Sequence, residues 1–314
     1  MQRTINTSVS FEGVGLHSGK AARLVLRPAG IGAGITFRRT DLVDRLALTA
    51  TPVNGTIPAL WWLVEQSPLC TRLVNEAGVS VSTVEHVMAA LMGCGISNVV
   101  IDVDGPEVPI LDGSAMPFVQ KILAAGIVVQ DAPVRALRVL RTVEVQKGLA
   151  RARIEPAETL RIEFDIAFED AAIGVQKKVL NMSNGSFVRE LSNSRTFCRK
   201  ADVDAMRANG LALGGTLENA VVVDGARVLS PGGLRHADEA VRHKMLDALG
   251  DLGLAGLPVL GHYHGFRAGH AVTNDLLRAL FADPANYEII ECDAETAARL
   301  PGAGVHAGEI PQVA

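Results

Sequence analysis

The chain has 314 residues, with 30 Lys and Arg against 34 Asp and Glu and a formal net charge of −4. That balance, with a pI of about 6.1, excludes a general nucleic-acid binder. Mean hydropathy is +0.24, yet no run of about 18 apolar residues occurs, so no transmembrane helix is expected. The start, Met1-Gln2-Arg3-Thr4, has no apolar core or cleavage pattern, so no signal peptide is expected. Cys70, Cys94, Cys198 and Cys292 are scattered, with no CxxC pair. They make neither a disulfide framework nor a cysteine zinc site, and the expected address is the cytoplasm, with free thiols.

In chain order, Ala22–Arg27 and Gly34–Arg38 read as strands, the first stopped by Pro28. Trp61-Trp62-Leu63-Val64, in an irregular stretch between Thr51 and Leu69, reads as a packed insert or core strand. From Ser82 to Met92, residues Val84, Val87, Met88, Leu91 and Met92 form the stripe of an amphipathic helix. Ser82 and Glu85 match a capping box at its start. A strand over Asn98–Asp104 and a helix over Met116–Ala125, stopped by Gly126, follow. Asp131-Ala132-Pro133 is the expected domain boundary, giving domains 1–130 and 131–314. Strands are predicted at Leu137–Gln146 and Leu160–Phe168, and helices at Phe187–Asn193 and Ala237–Leu252. Each half thus has strands plus about two helices in non-alternating order, which favours α+β layers over a doubly wound sheet.

The richest passage for chemistry is Asp238–Asp251. On a helix His243 and Asp247 are i, i+4 neighbours whose side chains converge. Their face lies roughly 140° from the stripe of Val241, Met245, Ala248, Leu249 and Leu252, at about 100° per residue. Two readings stand: two ligands of a metal site that needs a third donor, or a solvated face carrying a local His–Asp pair. Glu85-His86, in the first turn of its own helix, offers that third donor beside a proton-accepting carboxylate, an economy shared with HExxH enzymes. The competing role for Glu85 is capping. His270 follows Gly269 and reads as a general acid or as an ordinary loop or strand-end histidine. Thr196 could polarise a carbonyl or serve a turn. Gly13–Gly19 is glycine-rich but lacks the Lys-Ser/Thr ending of a phosphate loop.

Taken together, GVGLHSGK (13–20), STVEHVMAAL (82–91), GPEVPILDGSAMPF (105–118), Arg195–Phe197, GLALGG (210–215), VRHKMLDALGD (241–251) and Gly269-His270 resemble the UDP-3-O-acyl-N-acetylglucosamine deacetylases, zinc amidases of lipid A biosynthesis. The segments run in family order over nearly the whole chain. The resemblance implies two similar two-layer domains of the ribosomal protein S5 domain 2-like type, each a mainly antiparallel sheet with two helices, the helices facing each other across the interface. It also implies an insert near 51–69 and a hydrophobic-passage insert near 196–224. Carried over by position, His86, His243 and Asp247 would hold Zn2+, with Fe2+ as the alternative. Glu85 would be the general base, His270 the acid, Asp251 its orienting partner and Thr196 an oxyanion donor. Lys244 would contact the nucleotide diphosphate, and Phe197 and Phe168 the sugar and uridine. His17 matches a family position without an assigned role.

The implied reaction is hydrolysis of the acetamide of UDP-3-O-(3-hydroxyacyl)-N-acetylglucosamine, the committed step of lipid A biosynthesis. The partner is a UDP-sugar bearing a fatty acyl chain. No nucleic acid and no stable membrane insertion are expected. The enzyme would be a cytoplasmic monomer, peripheral at the inner membrane face. His262 and His264 are not required by the family, and Cys70 is a candidate ligand for excess metal. Two rivals remain: a zinc amidase acting on another acylated nucleotide sugar, and a non-catalytic α+β binding module.

Overall fold

The computed structural model describes residues 1–42, 54–67 and 69–311. The expected insert near 51–69 therefore lies partly outside the described residues. The first sheet comprises β1 (Val9–Val14), β2 (Ala21–Pro28), β3 (Ile35–Arg39), β4 (Thr56–Pro58) and β5 (Val99–Val103), in the order β1-β2-β5-β3-β4. Only the β3–β5 pairing is parallel. The period of two is plain in β2: Ala22, Leu24 and Leu26 are buried while Ala21, Arg23 and Arg27 face solvent. Helices α1 (Glu85–Gly93) and α2 (Met116–Ala125) cover the apolar face, where the ring of Phe118 meets Phe11 at 4.8 Å. Gly126, at φ +82°, ends α2.

The second sheet has seven strands: β6 (Arg135–Val139), β7 (Val143–Lys147), β8 (Ala150–Glu155), β9 (Leu160–Ala167), β10 (Val175–Asn181), β11 (Val259–Phe266) and β12 (Tyr287–Glu291). The long central β11 runs antiparallel to β8 and parallel to β9 and, at its start, to β6. From Gly261 onward it alternates: Tyr263 points inward, its hydroxyl 2.9 Å from Thr273 on the helix side, and His262 and His264 point outward. Helices α3 (Glu239–Leu252) and α4 (His270–Ala282) lie on the inner face.

The two helix layers meet through α1 and α3. Their approach is set by Gly250, where a Cβ would overlap the carbonyl oxygen of Glu85. The molecule is therefore α+β, with two mainly antiparallel sheets outside and four helices between them. One core runs through both layers, from Leu24 and Ile101 by way of Met88 and Leu249 to Ile162 and Leu277. Among the described residues, no helix is long and apolar enough to cross a membrane.

Several elements depart from expectation. The strand expected over Leu137–Gln146 is two strands, β6 and β7, turning at an exposed Leu140. The helix expected over Phe187–Asn193 is present but short, a five-residue α-helix over Ser186–Glu190. Strands β10 and β11 and helix α4 were not anticipated. No residue of β10 is buried, and β11 reads Gly-His-Tyr-His-Gly at its centre, so neither carries a run of strand-forming apolar residues. The Trp61–Leu63 segment is a 3-10 turn rather than a strand. Trp61 stacks on Phe281 of α4 at 4.9 Å, while Trp62 is 52% exposed. The segment 196–224 folds as a strand (Phe197–Arg199), a nine-residue helix (Lys200–Ala208) and a parallel return strand (Val221–Asp224). Its Leu213 and Gly214 amides donate to the carbonyls of His17 and Leu16.

Candidate active site

Helix α1 starts at Glu85, not Ser82. Ser82 belongs to a short strand, Thr83 turns the chain at φ +60°, and Val84 at the N-cap gives no side-chain bond. The capping box is thus absent, which leaves the Glu85 carboxylate to face the interior. Its Oε2 accepts the amide N–H of Thr71 at 3.1 Å, and its Oε1 stands 3.7 Å from His270 Nε2. The helix start is anchored instead by Glu107, which accepts the Thr83 hydroxyl and the His17 and Ser18 amides.

His86, the next residue, reaches across to α3. Its Nε2 lies 3.7 Å from Asp247 Oδ1, and His243 Nε2 lies 3.3 Å from the same oxygen. One ligand atom from each of the three residues lies within 4.8 Å of the others. The expectation that His243 and Asp247 avoid the buried seam fails, because α1 packs on the face opposite the apolar stripe and both are buried. The solvated-face reading falls with it.

The protonation states suit cation binding. His243 Nδ1 donates to the Ser194 carbonyl at 2.9 Å, which aims Nε2 at Asp247 Oδ1. Burial, and then the neighbouring His243, push His86 down to about 3, so its ring is neutral. Burial works to raise the Asp247 carboxyl, but His243 and Lys244 overcome it and hold the group well below the ordinary carboxylate range. Asp247 Oδ2 accepts from Lys244 Nζ at 2.8 Å. Its Oδ1 is buried and, among the described residues, takes no hydrogen bond. A buried, ionised oxygen without a donor is costly unless a cation fills the space before it, so the donor set fits a divalent metal.

His270 opens α4 rather than a loop, with Gly269 as its N-cap. Its Nδ1 bonds Asp251 Oδ2 at 2.8 Å. Burial lowers its pKa, yet Asp251 and Glu85 outweigh burial and carry it up to about 9. Glu85 rises as well: burial carries its carboxyl up to about 7 despite the nearby His270. Two titrating groups with raised pKa values thus face each other beside the three converging donors.

Thr196 sits one residue beyond Arg195, in the turn whose Ser194 carbonyl holds His243. Phe197 and Phe168 meet edge to face at 5.4 Å, and Phe197 lies 6.4 Å from the His243 ring. Lys244, expected at a diphosphate, bonds Asp247 here. His17 is half-buried, and neither ring nitrogen has a hydrogen-bond partner among the described residues. Cys70 is buried, its thiol pushed up to about 11 by burial and by Glu85, so it stands protonated rather than as a metal-binding thiolate. His262 and His264 lie on the outer face of the second sheet, away from this centre.

Sequence reasoning missed three supporting residues. Thr71 donates its amide to Glu85 and its hydroxyl to Asp251 at 2.6 Å. Glu239, buried at the start of α3, accepts the Arg195 amide and guanidinium and the Arg235 amide, which fixes the Ser194–Thr196 turn. Glu107 anchors the Gly13–Lys20 turn. A glutamate four positions ahead of His243 was a visible signal for Glu239; for Thr71 no local pattern existed.

Two imidazoles and a carboxylate around one point, flanked by a carboxyl–imidazole pair, form the donor set of a metallohydrolase, and fold and site together define that class. Comparison with known proteins agrees. Residues 2–282 match the family model of LpxC, UDP-3-O-acyl N-acetylglycosamine deacetylase. The chain is 43% identical over 311 residues to the UDP-3-O-acyl-N-acetylglucosamine deacetylase of Shewanella frigidimarina, covering 97% of this chain and 99% of that one. It is 44% identical over 312 residues to the proteins of the same name from Shewanella baltica and Shewanella oneidensis, covering 98% of this chain and 99% of each. The chain belongs to the UDP-3-O-acyl N-acetylglycosamine deacetylase family, whose members are amide-hydrolysing metalloenzymes.

Proposed function

We infer that this chain hydrolyses the acetamide of UDP-3-O-(3-hydroxyacyl)-N-acetylglucosamine, releasing acetate and UDP-3-O-acyl-glucosamine, at the committed step of lipid A biosynthesis. The observation that carries the reading is the meeting of His86 with His243 and Asp247, whose donor atoms lie within 4.8 Å of one another between α1 and α3. His86, His243 and Asp247 would hold Zn2+, with Fe2+ as the alternative occupant. Bound there, the metal supplies a Lewis acid that polarises the amide carbonyl and makes water acidic enough to lose a proton near neutral pH.

The side chains divide the remaining work. Glu85, with a pKa near neutrality and one carboxylate oxygen facing the centre, takes the proton of the attacking water at Oε1. His270, charged at neutral pH and held by Asp251, delivers a proton from Nε2 to the departing amine. The Thr196 hydroxyl donates to the carbonyl oxygen as it gains negative charge. Lys244, leaving Asp247 for a stronger anion, would meet the diphosphate, and Phe197 with Phe168 would form the wall for sugar and uridine. His17, with both ring nitrogens unpartnered, would meet a polar group of the substrate.

The same reading places a monomer in the cytoplasm, touching the inner membrane face only through its acylated substrate. It divides the chain into domains 1–130 and 131–314. The change from first-sheet to second-sheet strands between Val99–Val103 and Arg135–Val139 supports that division. The test measures zinc content together with acetate release from the acylated UDP-sugar, before and after dialysis against a chelator. Turnover should vanish with the metal and return on adding one equivalent of Zn2+. Equal turnover without metal would refute the proposal.

A further inference from the structure

Outside the hydrolytic centre, one more group of ligating side chains converges. Because Tyr263 faces inward, His262 and His264 project together from the outer face of β11, two residues apart. Parallel pairing sets Glu163 of β9 opposite His264, and Asp165 lies one pleat further along the same face. His264 Nε2 stands 2.6 Å from Asp165 Oδ2 and 4.0 Å from Glu163 Oε1. One ligand atom each from Glu163, Asp165 and His264 lies within 4.8 Å of the others. His262 Nε2 is 3.3 Å from Glu163 Oε2, and this buried nitrogen makes no aligned hydrogen bond with any described residue.

The geometry points to a second divalent-cation site, formed by His264, Glu163 and Asp165 with His262 beside Glu163, of the class that takes Zn2+, Ni2+ or Cu2+. Mixed imidazole and carboxylate donors select these ions over Mg2+ or Ca2+, which prefer all-oxygen sites. Metal–ligand bonds of roughly 2.0–2.2 Å at tetrahedral angles put ligand atoms roughly 3.3–3.6 Å apart. The present separations bracket that spacing, so small rotamer changes complete the site. The cation takes the place of the proton that His264 Nε2 and Asp165 Oδ2 share, and that proton moves to Nδ1 or to water.

A competing cation is already present. Lys177 Nζ lies 2.6 Å from Glu163 Oε1 and 3.7 Å from Asp165 Oδ1. Its side chain is 56% exposed on a flexible stem, so solvent screens the pair and it yields readily. Arg153 is engaged with Glu155 on the neighbouring strand at 3.2 Å. The site shares no residue with the hydrolytic centre and lies on the far face of the sheet, so this inference stands independently of the proposed function.

The test is calorimetric titration of the purified full-length chain with Zn2+, alongside metal counting after equilibrium dialysis. Wild type should bind two equivalents, and His86→Ala should lose one while keeping the other. His264→Ala and Asp165→Asn should each weaken the second equivalent about tenfold or more while leaving the first intact. Lys177→Gln, which removes the competitor, should tighten the second equivalent, an effect that a purely structural role for these residues would not produce. A single equivalent in wild type that His264→Ala retains would overturn the proposal. So would unchanged second-site affinity in both loss variants, or a Lys177→Gln affinity no tighter than wild type.

Discussion

Glu85 shows how much one side chain's surroundings decide. The carboxyl is buried, accepts one backbone amide, and keeps its other oxygen toward His270. Replacing it with Gln keeps the shape and removes the proton acceptor. Glu85→Gln should lower kcat by about 10²–10⁴-fold, the usual contribution of general acid–base catalysis. Metal content should stay at the wild-type level, because Glu85 is not among the three converging donors. Rate measurement with parallel metal analysis checks both halves of the expectation, and loss of metal would reassign Glu85 as a ligand. The residue's interior orientation was hidden in the sequence, where Ser-x-x-Glu suggests capping. The positive φ of Thr83 swings Ser82 out of the cap position, and no local pattern announces that turn.

At the scale of elements, the site depends on how closely α1 and α3 approach. In an isolated helix, Ala in place of Gly250 would be favoured by about 1 kcal/mol. Here the added methyl collides with the Glu85 carbonyl, and overpacking of this kind costs roughly 1–3 kcal/mol. Gly250→Ala should therefore lower the thermal midpoint. By parting His86 from Asp247 it should also cut activity about a hundredfold, the loss expected for a misplacement near 1 Å. Glu239→Gln tests the other support. It leaves the buried Arg195 guanidinium without its ionic partner, so destabilisation of about 3–5 kcal/mol is expected in urea denaturation. Helices α1, α2 and α3 were legible because their apolar positions repeat at helical spacing. Helix α4 carries the same spacing in Val272, Leu276, Leu277 and Leu280, but the Gly269-His270 step at its start reads as a loop or strand end. The two-helix convergence was readable only as a resemblance, because spacing within α3 cannot reveal that a second helix covers its polar face.

Across the whole molecule, buried carboxylates paired with arginines set its acid limit. Asp102 in the first sheet accepts from Arg27 and Arg38. Burial favours its neutral form, but the two guanidinium groups prevail and lower its pKa below the ordinary 3.8. A lowered carboxyl contributes stability that is present above about pH 4 and lost as pH falls through the lower, folded value. Because both arginines are half exposed, screening keeps this contribution near 1 kcal/mol. Glu239 adds a loss of the same sign at low pH. Melting midpoints measured from pH 6 to pH 2 should fall mainly below pH 4, and Asp102→Asn should flatten that decline.

Thr71 belongs to the first half of the chain, yet its hydroxyl holds Asp251 of the second while its amide holds Glu85. One residue thus acts as a gauge bar across the seam, fixing the spacing between Glu85, the proposed proton acceptor, and Asp251, the partner of the proposed proton donor. Relative sliding of the two layers would have to stretch this strut before it could draw Glu85 away from Asp251.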